Sequence, residues 1–120
     1  MSSYTSHMSI TEFEDTGAVV RLTVNKIDEH EAGLLISEFG AFVKNNERNR
    51  IAMDYTEVDF VASAGLGAMI TMYRAVNEAG GKCVVTGLNE NVMGVLKLTK
   101  LDKLFTIEKT LAKAQKRLLK

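Results

Sequence analysis

Hydrophobic positions along the chain follow two periods, and the change from one to the other separates its predicted elements. Segments 9–15 (SITEFED) and 18–24 (AVVRLTV) place apolar side chains at every second position on either side of Gly17. This alternation is typical of half-buried strands, so the two segments predict a β-hairpin. Further strands are predicted for three short apolar runs, at 50–56, 82–87 and 104–109.

Four other segments have the helical period instead. After Asp28, apolar residues recur at Leu35, Phe39 and Phe42, and Glu31 stands where an N-terminal capping box needs it. A second apolar stripe follows Ser63 and ends at a glycine pair. The third and fourth helices are predicted to begin after Asn89 and near Thr110.

The predicted order is therefore β-β-α-β-α-β-α-β-α. Alternating strands and helices joined by right-handed crossovers predict a single α/β domain, with a mixed sheet of about five strands and helices packed mainly on one side. We assign this domain to residues 9–120. The serine-rich segment 1–8 is predicted to be a flexible N-terminal tail.

Composition narrows the classes of function. The chain has 120 residues, 15 Lys and Arg against 15 Asp and Glu, and no apolar run near the length that spans a bilayer. These features predict a cytoplasmic protein without direct nucleic-acid or membrane contacts. The single cysteine, Cys83, lies in an apolar run and is predicted to be buried. Oligomeric state is not determined, and a weak homo-oligomer remains open.

The stretch VASAG, 61–65, places a lone hydroxyl, Ser63, between two small residues, but it does not favour catalysis. A hydrolase elbow needs glycine where Val61 stands, and the two histidines, His7 and His30, are not placed to serve as its base. The glycines that follow complete no phosphate-binding motif, and His30 has no second ligand in a metal-site pattern. We therefore predict a protein that is not an enzyme and has no catalytic residue, cofactor or metal site.

Ser63 has a simpler structural interpretation as the N-cap of the second helix. That interpretation does not explain the small residues around it, which leave the hydroxyl open at the surface. Such an opening suits a group that another protein must reach.

Three stretches together resemble the STAS domain of bacterial anti-sigma factor antagonists. They are residues 54–60, with Asp, Val and Phe at the family's spacing, the small-residue serine loop 62–67, and LKLTKLDKLF at 96–105. The resemblance spans about residues 19–107. Two positions depart from it: Ala62 replaces the usual aspartate before the serine, and Lys100 stands where glycine is frequent.

The resemblance implies a partner switch. Unmodified protein would sequester an anti-sigma factor that is also a serine kinase, phosphorylation of Ser63 would break the contact, and a phosphoserine phosphatase would restore it. The predicted partner-binding residues are Asp28, Ala62, Ser63, Ala64, Gly65, Leu66, Gly67 and Met69. Core packing is an equal alternative for Met69.

Two rival functions stay open at this point. One is a STAS-type scaffold or small-ligand sensing module without a phosphoswitch, which the loss of aspartate at Ala62 would suit. The other is a serine hydrolase.

Overall fold

The computed structural model describes residues 2–4, 7–45 and 47–120. Within them it contains four α-helices and a short 3-10 helix at Leu101–Lys103. The helices are α1 Glu29–Asn45, α2 Ser63–Glu78, α3 Glu90–Leu98 and α4 Leu111–Leu118. The strands are β1 Ser2–Tyr4, β2 Met8–Phe13, β3 Gly17–Leu22, β4 Lys26–Ile27, β5 Arg50–Asp54, β6 Phe60–Val61, β7 Lys82–Thr86 and β8 Ile107–Glu108.

The main sheet has the order β1-β2-β3-β5-β7-β8. Its first three strands are antiparallel, as the predicted hairpin requires, and β3, β5, β7 and β8 run parallel to one another. Parallel neighbours need a crossover connection, and α1, α2 and α3 lie in those connections. The five predicted strands are thus present in a mixed sheet, and β1 extends it by one.

Successive residues of the central strands face opposite sides of the sheet and belong to two separate hydrophobic cores. Val20, Met53 and Val85 stand side by side on adjacent strands and belong to the large core shared with α1, α2 and α3. The next rung pairs Val19, Ala52 and Val84, which pack against Ala114 and Leu118 of α4. Because β3, β5 and β7 are covered on both faces, their central residues are apolar in succession, at 18–20, 51–53 and 83–85. The predicted packing of helices mainly on one side is confirmed, and α4 alone among the described helices covers the other side.

Of the predicted tail, the described residues 2–4 and Met8 differ from the prediction. Ser2–Tyr4 pairs antiparallel with β2, and Met8 is the first residue of β2, with only 1% of its surface exposed. The boundary placed at residue 8 is therefore too late. A strand added to an exposed edge is held by main-chain hydrogen bonds, which a polar sequence forms as well as an apolar one.

A second, two-stranded sheet was also missed. Strand β4 pairs in parallel with β6, through Lys26 with Phe60 and Ile27 with Val61. Each of these strands has two residues, which is too few to show a hydrophobic period, so the sequence pattern did not predict this sheet. It matters for function because α1 starts just after β4 and α2 just after β6.

Two local predictions are confirmed. Cys83 is buried, and this burial raises the pKa of its thiol, so it is not a reactive thiolate. Lys100 adopts a left-handed conformation with φ of 62°, which explains why glycine suits that position.

Candidate functional site

The loop that carries Ser63 is held by main-chain hydrogen bonds to the segment before α1. The amide of Asp59 donates to the carbonyl of Asn25 at 2.7 Å, and the amide of Ala62 donates to the carbonyl of Ile27 at 3.0 Å. These bonds flank the β4–β6 pairing. The start of α2 is therefore held against β4, and Ser63 directly follows the last residue of this hydrogen-bonded segment.

Gly65 allows this close approach. A Cβ atom at Gly65 would lie 2.4 Å from the carbonyl oxygen of Ile27 and 2.7 Å from Cγ1 of Val61. Since real Cβ atoms are not found that close to backbone oxygen, any larger residue would push α2 away from β4. Gly67, two residues further, is exposed, and a Cβ atom added there would meet no atom within 4 Å. The two glycines thus have different roles.

Ser63 is the first residue of α2, and its side chain is exposed. The prediction that it is the N-cap is wrong. Ala62 occupies the N-cap position, with φ of −81° and ψ of 176°, and no side chain caps the helix. The first helical hydrogen bond runs from the amide of Leu66 to the carbonyl of Ala62. The amides of Ser63, Ala64 and Gly65 precede that bond and have no carbonyl within the helix to bind.

The N-termini of the other three described helices are closed by a side chain. Asp28 accepts the amides of His30 and Glu31 at 3.0 and 3.3 Å, which confirms it as the N-cap of α1. Asn89 caps α3, and Thr110 caps α4. Helix α2 is the exception among the described α-helices, and it is also the helix that begins with the exposed serine.

Asp28 lies beside this site and is held in its charged form. A side-chain hydrogen bond with Glu31 is the main reason that the pKa of Asp28 falls from 3.8 to about 2. The two capped amides and Lys26, whose Nζ lies 3.4 Å from its carboxylate, act in the same direction. Asp28 directly follows Ile27, whose carbonyl binds Ala62. The predicted neighbourhood of Asp28 and the serine loop is therefore present.

Of the other predicted contact residues, Ala64 and Gly67 are exposed, and Leu66 and Ala62 are partly so. Two are not available to a partner. Met69 is 1% exposed and belongs to the main core, so the packing alternative is correct for it. Gly65 is buried against β4 and supports the loop rather than facing outward.

Phe60 was missed by the sequence analysis. It lies on β6, and 57% of its side chain is exposed, which is unusual for an aromatic residue of a small domain. Its backbone amide donates to the carbonyl of Asn25, so the exposed ring lies close in the chain to the serine loop.

Asp54 has a structural role. Its side chain is 1% exposed, and its Oδ2 accepts two hydrogen bonds of 2.9 Å from Arg21. Its Oδ1 accepts the amide of Thr56 at 2.9 Å and so closes the turn after β5. A buried carboxylate needs such partners. Because both of its oxygens are bonded in this way, Asp54 does not contribute to the site around Ser63.

The described residues offer little that would support chemistry at Ser63. Its hydroxyl makes no hydrogen bond to any described side chain, and no group of three His, Cys, Asp or Glu among them could hold a metal ion. No described helix has the length and apolar character needed to cross a membrane.

The mixed sheet with its helices and the serine at the start of α2 define a STAS domain. The chain belongs to that family, whose model matches residues 8–114. An anti-sigma F factor antagonist of Paenibacillus polymyxa is 25% identical over 89 residues, which cover 74% of this chain and 75% of that protein.

Solved structures agree in fold. An anti-sigma factor antagonist of Mycobacterium paratuberculosis superposes with a TM-score of 0.80 and 25% identity, covering 94% of this chain and 93% of the other. The phosphorylated form of SpoIIAA, a Bacillus cell fate determinant, superposes with a TM-score of 0.67 and 15% identity, covering 92% and 98%. The latter identity is low enough that the likeness concerns the fold alone.

Proposed function

We propose that this chain is an anti-sigma factor antagonist that binds an anti-sigma factor through the surface around Ser63. Phosphorylation of Ser63 by the anti-sigma factor, acting as a serine kinase, ends the contact, and a phosphoserine phosphatase restores it. The relatives named as anti-sigma factor antagonists support the general role. The observation that carries the proposal is the exposed serine at the start of the uncapped helix α2.

An uncapped helix start suits a residue that alternates between a hydroxyl and a phosphate. A phosphate on Ser63 adds a charge of about −1.5 to −2 next to amides that lack partners and to the positive end of the helix dipole. The folded state therefore accommodates the modification. A solved relative of the same fold is described in a phosphorylated form, which supports this part of the proposal.

The same charge is unfavourable in an interface. The exposed side of the loop is neutral and small at Ala64 and Gly67, and Phe60 offers an apolar contact beside it. A partner packed on this surface would have to desolvate a dianion. A cost of about 3 kcal/mol would weaken binding by about a hundredfold, enough to release the partner.

The segments that hold Ser63 carry acidic side chains, at Asp28, Glu29, Glu57 and Asp59. A binding partner should therefore present positive charge around a small apolar recess. Ala62 removes the carboxylate that the resemblance places before the serine, so the kinase should recognise the loop through these neighbouring residues.

We propose a non-enzymatic module that acts in the cytoplasm, where transcription takes place. The relatives named as anti-sigma factor antagonists support this role. A fluorophosphonate probe should leave the protein unlabelled. Labelling at Ser63 would instead indicate a serine hydrolase.

The first experiment is incubation of the purified protein with ATP and lysate, or candidate anti-sigma kinases, of its source. Mass spectrometry should place phosphate on Ser63. Ser37, an exposed serine in the middle of α1, gives the matched control, so Ser37→Ala should leave labelling unchanged and Ser63→Ala should abolish it. No phosphate on Ser63, with the kinases active on their own antagonists, would favour a constitutive scaffold.

Binding to the native anti-sigma factor tests the switch separately. Ser63→Asp should weaken binding by about tenfold or more, while Ser63→Ala should bind like the unmodified protein. Ser63→Ala should unfold at the urea concentration of the wild type within error, because the Ser63 side chain makes no hydrogen bond in the described structure. Ser63→Asp should be at least as stable as the wild type, because a carboxylate in the first turn of α2 is favoured by the helix dipole. Wild-type affinity of Ser63→Asp would contradict the proposal.

A further inference from the structure

A cavity of about 470 Å³ lies between α3 and β8. Its apolar wall comprises Leu88, Met93 and Ile107, and Leu88 and Ile107 also pack against the main core. Volumes of 300 to about 1,000 Å³ are typical of small-molecule sites. The cavity does not contain Ser63 or any residue of the predicted partner surface.

Gly94 helps to keep this cavity open. It stands in the middle of the nine-residue helix α3, where glycine is about fivefold less favourable than alanine. No atom lies within 4 Å of the position a Cβ would take, so steric hindrance does not explain the glycine. A side chain there would instead occupy part of the cavity wall.

The rim of the cavity carries positive charge. Lys97 and Lys109 line it, both are exposed, and neither forms an ion pair within the described residues. The carboxylate of Glu108 is already paired with Arg117 at 2.9 Å. Glu90, in the first turn of α3, then remains as a single acidic group on the rim against two lysines. The excess charge favours an anion.

We propose that the cavity binds a small amphipathic anion, with a hydrocarbon chain or ring against Leu88, Met93 and Ile107 and a single carboxylate or comparable group at Lys97 and Lys109. Apolar walls with a few placed charges are the usual composition of such sites. The site is independent of phosphorylation at Ser63, because binding requires neither a partner protein nor a modified serine.

Octanoate, titrated into the nitrogen-15-labelled protein to about 10 mM, is a direct probe, since a ligand of this size is expected to bind in the low millimolar range. Saturable amide shifts should be concentrated in residues 88–97 and 107–109. Shifts that are absent, or that are spread evenly over the surface, would overturn the proposal.

Two variants test the geometry. Gly94→Leu fills the cavity and favours the helix, so the protein should stay folded and octanoate affinity should fall by about tenfold or more. Gly33→Leu is the matched control, because Gly33 is an exposed glycine of α1 with equally open space and lies outside the cavity. Equal affinities of the two variants would contradict the assigned location.

The charge requirement has its own test. Combined Lys97→Gln and Lys109→Gln substitutions should reduce octanoate affinity by about fivefold, and octanol should bind the wild type more weakly than octanoate by a similar factor. If octanol and octanoate bind equally well, the site is merely apolar and the proposed anion specificity is wrong. Since all of these measurements use the isolated protein, their failure would leave the proposed partner switch unaffected.

Discussion

Helices α1 and α2 begin side by side, and their N-termini are built in opposite ways. Helix α1 has its own carboxylate, Asp28, bonded to its free amides, with Glu29 and Glu31 in the first turn. Helix α2 has Ala62 at the same position, no acidic residue in its first turn and an exposed Ser63. The free amides of α1 are bonded to a carboxylate of the protein itself, whereas the start of α2 is the place where we propose reversible phosphorylation.

The backbone does not account for this difference. Both helices follow strands of the same two-residue parallel pair, β4 and β6, and a hydrogen bond from Ala62 to Ile27 joins the two starts. The side chain at the cap position decides which terminus is closed. Two neighbouring helices can therefore start from the same pair of strands, and a single residue at the cap position decides whether the free amides of each helix are bonded to a side chain.

The largest expected effect on stability comes from a substitution that pushes the start of α2 away from β4. Gly65→Ala should destabilise the protein by about 2 to 4 kcal/mol, because the new Cβ would meet the backbone of β4 at 2.4 Å. Gly67→Ala makes the same chemical change in open space and should stabilise it by about 0.5 to 1 kcal/mol through helix propensity. Urea unfolding of both variants measures the contrast. Equal stabilities would show that α2 is not tightly apposed to β4.

Phe60 tests whether the open terminus is part of a contact surface. Phe60→Ala should weaken anti-sigma factor binding by about tenfold, or about 1.4 kcal/mol, with a smaller change in stability, since much of the ring is already exposed. Leu98→Ala is the matched control, because Leu98 is 85% exposed but lies on α3. Titration calorimetry with the partner distinguishes them. Unchanged affinity of Phe60→Ala would place the interface elsewhere.

Substitutions at the two cap positions should make the N-termini of α1 and α2 more alike, by removing the cap of one helix and adding a cap to the other. Asp28→Ala removes the cap of α1 and should cost about 1 kcal/mol, whereas Ala62→Asp supplies α2 with a cap and should add about 0.5 to 1 kcal/mol. Thermal and urea unfolding give both values. If Ala62→Asp is neutral or destabilising, the first amides of α2 are not available to an oxygen acceptor, and the proposed accommodation of phosphate fails with it.

The smallest expected effect is a pH dependence confined to α1. The pKa of Asp28 is lowered to about 2 by Glu31 first and then by the capped amides and Lys26. Since the folded-state pKa lies below the unfolded value of 3.8, this contribution is present above about pH 4 and is lost as pH falls toward about 2. Asp28→Asn keeps an acceptor at the cap without the titration. It should therefore lose less stability than the wild type over that range, and an identical pH profile would contradict the assignment.

Much of the fold could be predicted because a long helix or strand repeats its pattern of apolar and polar residues several times. The stripe of α1, the caps Asp28 and Asn89 and the start of α4 near Thr110 were each identified from local patterns and are confirmed. Short elements offered no repeat, so β1 and the pairing of β4 with β6 were missed. The position of Ser63 was missed by one residue because Ser63 and Ala62 are adjacent and the backbone angles, rather than residue preference, place the helix start.

The candidate site was predictable only in part. The serine and its small neighbours were found from sequence, but Met69 was left undecided between partner contact and core packing, and Phe60 was not considered. Helical spacing identifies an apolar stripe without showing how much of it a neighbouring layer covers, and packing buries Met69 completely. Phe60 has the residue type of a core position, yet the surrounding chain leaves it exposed.

The sequence by itself determined the order of the predicted elements, the caps of two helices and the lone serine in a stretch of small residues. Propensity, hydrophobic period and capping are properties of neighbouring residues, so they can be obtained from the chain alone. Tertiary structure decided that Asp28 and Ser63 lie together and that Gly65 packs directly against the backbone of β4. Those features depend on contacts between distant segments, which local sequence does not encode.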